Sequence, residues 1–169
     1  MKKLILSAFV LCTLVTNSNA QATATATATA TIVTPISISK TADMNFGNIA
    51  VSASTAGTVI LAPAGTRTTG GAGGVTLPAT SGTVTAAAFT VNGNGNYTYA
   101  ITLPSSVTLT RASGSETMTA SSFTSTPSGT GTLSSGTQNL TVGATLAVSA
   151  AQVAGVYSSG NFNVTVNYN

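Results

Sequence analysis

The sequence contains no histidine and no tryptophan, and its one cysteine is Cys12. Charged residues make up 4% of the chain, and only two of them are carboxylates, Asp43 and Glu116. Each shortage removes a class of chemistry. Without histidine the commonest general base at neutral pH is missing. Without histidine, and with no cysteine past residue 12, the usual nucleophile–base pairs and soft metal ligands are missing too. Two carboxylates are too few for a dedicated calcium cage unless backbone carbonyls dominate it. They would make a glycosidase-like pair only if folding brought them together; the alternative is two unrelated surface charges. A hydrolase built on serine or threonine would have only Lys40, Asp43 or Glu116 as its base. The expectation is a protein that is not an enzyme and uses no cofactor and no metal.

The ends of the chain bear on its compartment. Met1-Lys2-Lys3 is a short positive region, and Leu4 to Val15 is an apolar run broken by Ser7, Cys12 and Thr13. Ser18-Asn19-Ala20 then places small residues before a cleavage point. This is the pattern of a secretory signal peptide over residues 1–20, cut after Ala20, and the run is too short for a spanning helix. Leu11 in front of Cys12 is not small, which argues against a lipid-anchoring box. Cleavage removes the cysteine, so residues 21–169 are expected to hold by packing and ladder hydrogen bonds without disulfides. No second long apolar run follows, so no transmembrane segment is expected. The expected location is the periplasm, the cell surface or the medium outside. Past residue 20 the charges are Lys40, Arg67 and Arg111 against Asp43 and Glu116, with no basic patch for nucleic acid. Charge this low suits a chain that works in an assembly or a coat better than a free monomer.

Strand signals dominate what remains. Thr, Val, Ile, Tyr and Phe recur between Gly, Pro, Asn and Ser clusters, and no segment sustains a helical period. Tyr97, Tyr99, Ile101 and Leu103 alternate on one face. Phe89 and Val91 precede them across Asn92-Gly93-Asn94-Gly95-Asn96, which reads as a hairpin because Asn and Gly tolerate positive φ. Leu140, Val142, Ala144, Leu146 and Val148 line one face of another strand, and Phe162, Val164, Val166 and Tyr168 line the last. Ile36 with Ile38, Met44 with Phe46, Val59 with Leu61, and Val107 with Leu109 read as further strands. Pro127-Ser128-Gly129 and Ser134-Ser135-Gly136 read as turns, and Thr66 to Gly74 as a mobile loop. Many short alternating strands without helical crossovers predict an all-β, antiparallel two-sheet sandwich, with a closed β-barrel as runner-up.

From Ala22 to Ile32 alanine alternates with threonine, the pattern of an extended strand with one apolar and one hydroxyl face. The organisation expected is therefore a signal peptide over 1–20, an alternating arm or first strand over 21–33, and a sandwich domain over 34–169. Gly70-Gly71-Ala72-Gly73-Gly74 lacks the Lys-Ser/Thr and the helix of a phosphate loop and reads as a flexible loop. Three glycosylation-like triplets begin at Asn96, Asn139 and Asn163; in so threonine-rich a chain they are expected by chance.

Ile32-Val33-Thr34-Pro35-Ile36-Ser37-Ile38 and Asp43-Met44-Asn45-Phe46-Gly47-Asn48-Ile49 form the front half of a recognisable pattern. Ala154-Gly155-Val156-Tyr157 and Phe162-Asn163-Val164-Thr165-Val166-Asn167-Tyr168 close it. The chain resembles the bacterial secreted family called domain of unknown function 4402. More distantly it resembles the spore coat protein U domain and archaic chaperone–usher pilins. That second resemblance implies an immunoglobulin-like sandwich. It also implies assembly in which a neighbour's N-terminal strand completes the fold. Residues 22–32 sit where a donor strand would be, and Tyr168 is penultimate, as in many pilin C-terminal strands. This chain lacks the cysteines common in those pilins, and its arm offers alanine instead of large side chains. The alternative is an ordinary first strand paired within its own domain.

The function expected is a secreted structural or adhesive subunit of a cell surface, pilin-like and assembling by strand addition with itself or other surface subunits. The candidate assembly residues are Ala22, Ala24, Ala26, Ala28, Ala30 and Ile32 in the arm, and Phe162, Val164, Val166 and Tyr168 in the last strand. A second expectation is an extracellular glycan-binding module with Tyr97, Tyr99 or Tyr157 as a stacking platform. A third is an ice-binding protein using the hydroxyls of Thr23 to Thr31, although one strand supplies only one row.

Overall fold

The structure, a computed structural model, describes residues 20–169. The expected signal peptide, apart from Ala20, lies outside the described residues. The chain divides into two units, residues 1–32 and 33–169. In the first, residues 20–32 carry no strand, and their side chains are exposed. The alternating pattern is thus not realised as a strand here. Alanine methyls bury little surface, and an extended segment without a ladder has nothing to offset its lost entropy.

The second unit is all-β, with thirteen strands. In chain order they are β1 (Ser37–Ala42), β2 (Ala50–Val51), β3 (Gly57–Leu61), β4 (Arg67–Gly70) and β5 (Val75–Thr76). Then come β6 (Ala87–Asn92), β7 (Thr98–Thr102), β8 (Ser106–Arg111) and β9 (Thr117–Thr126). The last four are β10 (Thr130–Thr132), β11 (Thr137–Val148), β12 (Tyr157–Ser158) and β13 (Thr165–Tyr168). The large sheet runs β1-β6-β11-β9-β8-β12, with β3 and β4 attached to β11. A smaller sheet runs β10-β7-β13, and β2 pairs with β5. Every pairing is antiparallel. The large sheet is curled and open, which gives the unit sandwich and barrel character together.

β11 organises this sheet. Its first half, Thr137 to Val142, pairs with β6, and its second half, Ala144 to Val148, pairs with β3 along the same edge. The opposite edge pairs with β9 from Thr141 to Ala147, with a register shift between Gly143 and Thr145. Ser122, inside that irregularity, has φ 49°. A bulge of this kind adds local twist and bend, which suits a sheet that curls. Gly143 stands where β6 gives way to β3. A Cβ there would overlap the Leu61 carbonyl oxygen and crowd the backbone of Ala62 and Pro63, where β3 turns away. Only glycine lets the two chains approach so closely.

The alternating residues of β11 point inward as the sequence predicts: Leu140, Val142, Ala144, Leu146 and Val148 are all buried. They divide between two hydrophobic clusters. One gathers Val59, Leu61, Val75, Ala120, Leu146 and Phe46; the other gathers Val91, Tyr99, Leu133, Leu140, Val142 and Val166. Met44 and Phe123 pack against both and join them.

Three expectations are corrected. Phe89-Val91 and Tyr97-Leu103 do not form a hairpin: both edges of β6 are taken by β1 and β11, so the Asn/Gly loop carries the chain across to β7 in the other sheet. Thr66 to Gly74 is not all loop, since β4 pairs with β3 from Thr58↔Gly70 to Leu61↔Arg67. Met44-Phe46 makes no strand, only an isolated bridge between Asn45 and Thr85.

Candidate functional site

The two carboxylates lie in different loops, and each is held by its own neighbour. The Lys40 ammonium donates to Asp43 Oδ1 at 2.6 Å, both groups being well exposed. Such a pair contributes little in water. Across the turn between β8 and β9, Arg111 grips Glu116 with two donors, Nε to Oε2 at 2.6 Å and a terminal nitrogen to Oε1 at 3.2 Å. This fork lowers the Glu116 carboxyl below its ordinary value and raises the Arg111 guanidinium. Among the described residues no group of three or more His, Cys, Asp or Glu is gathered as a metal site would require. Arg67 has a different task. It donates to the carbonyls of Phe46, Asn48 and Ser81, tying two loops to the start of β4.

The tyrosines are placed by packing. Tyr99 is fully buried in the second cluster, and its hydroxyl donates to Gln138 Oε1 at 2.8 Å. Burial pushes its phenol pKa up. It has no face free for stacking a ligand. Tyr157 is half-buried, its hydroxyl donating to the Val153 carbonyl at 2.7 Å. Tyr97 is exposed but meets Tyr168 edge-on, with ring centroids 5.6 Å apart. The three candidate stacking residues are therefore not gathered into one open aromatic platform.

The candidate assembly residues fall into two groups. Ala22, Ala24, Ala26, Ala28, Ala30 and Ile32 are exposed, Ile32 at 93%. Threonines 23–31 likewise lie in no strand, so no row of hydroxyls is fixed there. In the last segment Val166 is buried, while Phe162, Val164 and Tyr168 are partly buried against the same cluster. Phe162 rests on Phe123, with centroids 5.6 Å apart. The period-2 pattern of this segment is thus realised, although only Thr165–Tyr168 form ladder bonds. Tyr168 also closes the domain. Its hydroxyl accepts from the Asn94 N–H at 2.6 Å and donates to the Thr34 carbonyl at 2.8 Å, joining the last strand to the β6–β7 loop and to the chain ahead of β1.

The most functionally suggestive feature is a strand edge. β13 pairs with β7 on one side and ends the smaller sheet on the other. Its four residues, Thr165-Val166-Asn167-Tyr168, include no charge and no proline. Natural sheets usually protect an exposed edge with such residues.

These features define an all-β domain, poor in charge, with no assembled catalytic or metal-binding group among the described residues. The chain belongs to the DUF4402 family (domain of unknown function), which it matches over residues 36–168. The resemblance read from the end motifs is thereby borne out. No curated protein and no solved structure matches the chain. No described helix is long and apolar enough to cross a membrane, which says nothing of a β-barrel.

Proposed function

We propose that the protein is a secreted, non-enzymatic structural or adhesive subunit of a cell surface. In this reading its sandwich is immunoglobulin-like and it assembles, as pilins do, by strand addition. The observation that carries the reading is the unpaired outer edge of β13. The same chain carries a strand-patterned segment, Ala22 to Ile32, that forms no strand of its own. An incoming arm would gain main-chain hydrogen bonds along β13, while alternate side chains set its register. Ile32 is the one large apolar anchor the arm offers, and the alanines would fix register only weakly.

The test compares the protein with a version lacking residues 21–32, by light scattering and by hydrogen exchange. The expected result is concentration-dependent assembly of the intact arm form, with slowed exchange at Thr165–Tyr168, and a monomeric truncated form. Adding the arm as a peptide should restore the protection. An intact protein that stays monomeric at high concentration, with β13 amides exchanging at the same rate in both forms, would falsify the reading.

A further inference from the structure

The last segment of the chain changes sheets and leaves a cleft behind it. At β12, Tyr157 pairs with Arg111 and Ser158 with Thr110 of β8. The chain then leaves β8 and crosses to β7, where Thr165 pairs with Thr102. Between the departing segment and β8 lies a cleft of about 520 Å³. That is within the range of small-molecule sites, about 300–1,000 Å³.

The ladder bond from the Arg111 N–H to the Glu116 carbonyl fixes which backbone groups face the cleft. In β8 the odd-numbered residues bond inward to β9, so by alternation the N–H and C=O of Ser106 and Thr108 point to the outer edge. That edge is short. It ends at Thr110, which Ser158 already occupies, and at Pro104, which has no N–H. The free stretch of Ser106 to Leu109 spans about 13 Å and is bounded at both ends.

The lining defines the ligand's chemistry. Asn161 and Asn163 bring exposed amides, each with donors and an acceptor. Half-buried Phe162 and Val107 supply apolar surface. Among the described residues no ionisable side chain borders the cleft. Paired donors and acceptors beside apolar carbon, with no charge, match the alternating hydroxyl and C–H surfaces of a sugar ring. A charged ligand would find no counter-charge, and a purely apolar one would leave the amide donors and acceptors unused.

We propose that this cleft binds a neutral oligosaccharide of two or three rings. The proposal differs from strand addition at the outer edge of β13, although Thr165, the first residue of β13, borders the cleft. The test is a two-dimensional amide NMR titration of the purified protein with maltotriose, cellotriose and triacetylchitotriose. At least one should shift amides within residues 102–108 and 160–164 and leave those remote from the cleft unmoved. Asn163→Ala should weaken that binding about five-fold, the effect of one lost hydrogen bond of about 1 kcal/mol. Asn139→Ala, on the outer face of β11, should leave it unchanged. The proposal fails if none of the three sugars shifts these amides, or if the shifts fall elsewhere. It also fails if a peptide of residues 22–32 shifts these amides and the sugars do not, which would assign the cleft to strand addition.

Discussion

Replacing Gly143 with alanine should destabilise the domain, against the ordinary effect of that substitution. In a regular strand, alanine is favoured over glycine by roughly 0.5–1 kcal/mol, because glycine loses more freedom on folding. Gly143 has no unusual φ to protect, so intrinsic propensity alone predicts a gain. The structure predicts a loss. The new Cβ would overlap the Leu61 carbonyl oxygen, with the Ala62 carbonyl carbon and Pro63 nitrogen close by. All three are backbone atoms, so no side chain can rotate away. β3 would have to withdraw from β11, and with it Val59 and Leu61, both buried in the first cluster. Overpacking of this kind typically costs about 1–3 kcal/mol, and lost packing of β3 adds to it. The net loss should be about 2 kcal/mol or more after the propensity gain is subtracted. Urea unfolding followed by circular dichroism reads this as a fall in midpoint of about 1 M for a urea m-value near 2 kcal/mol/M. Gly65→Ala is the control. Its site is open, with nothing within 4 Å, but its φ is +82°. It should lose about 1 kcal/mol from backbone strain alone. A Gly143→Ala protein as stable as the parent, or less damaged than Gly65→Ala, would refute the close approach of β3 and β11.

Leu140→Ala should cost about 2–5 kcal/mol, because the side chain is fully buried in the second cluster, and differential scanning calorimetry should show the drop in Tm. Tyr168→Phe should cost about 1–2 kcal/mol in urea unfolding, by removing one acceptor for Asn94 and one donor for Thr34. The Glu116–Arg111 fork gives a pH signature. Because the folded pKa of Glu116 is lowered, its contribution is complete above the ordinary glutamate value and disappears as pH falls through the lowered one. The Tm advantage over Glu116→Gln should therefore be constant near neutrality and vanish in acid; an advantage that grew on acidification would reverse the sign argued here.

Much of this was legible in the residues themselves. Leu140 to Val148 point inward because every second residue is apolar and a strand turns alternate side chains to opposite faces. Phe162, Val164, Val166 and Tyr168 share the core side for the same reason, and the end motifs already resembled the family the chain belongs to. The hairpin predicted from Val91 to Tyr97 does not form because a turn signal reports that the chain bends, not which strand it meets next. Strand β4 within residues 66–74 is not legible in the sequence because its Thr and Gly have no apolar face; their order comes from β3, whose Val59 and Leu61 are buried in the first cluster. Nothing in the local pattern marks the cleft beside β8 either, since it is made by residues 160–165 leaving one sheet for another.

The sequence by itself determined that the domain is built of strands, which faces of β11 and of the C-terminal segment are buried, and that histidine and cysteine chemistry is absent beyond residue 12. Those properties are local: period, composition and the identity of single residues. Only the tertiary structure decided which edges meet. It put β6 and β3 end to end along β11, left the outer edge of β13 free, and committed Asp43 and Glu116 to separate ion pairs. Backbone hydrogen bonds are the same for every residue except proline, so the choice of partner strand is made by long-range packing of the faces they carry.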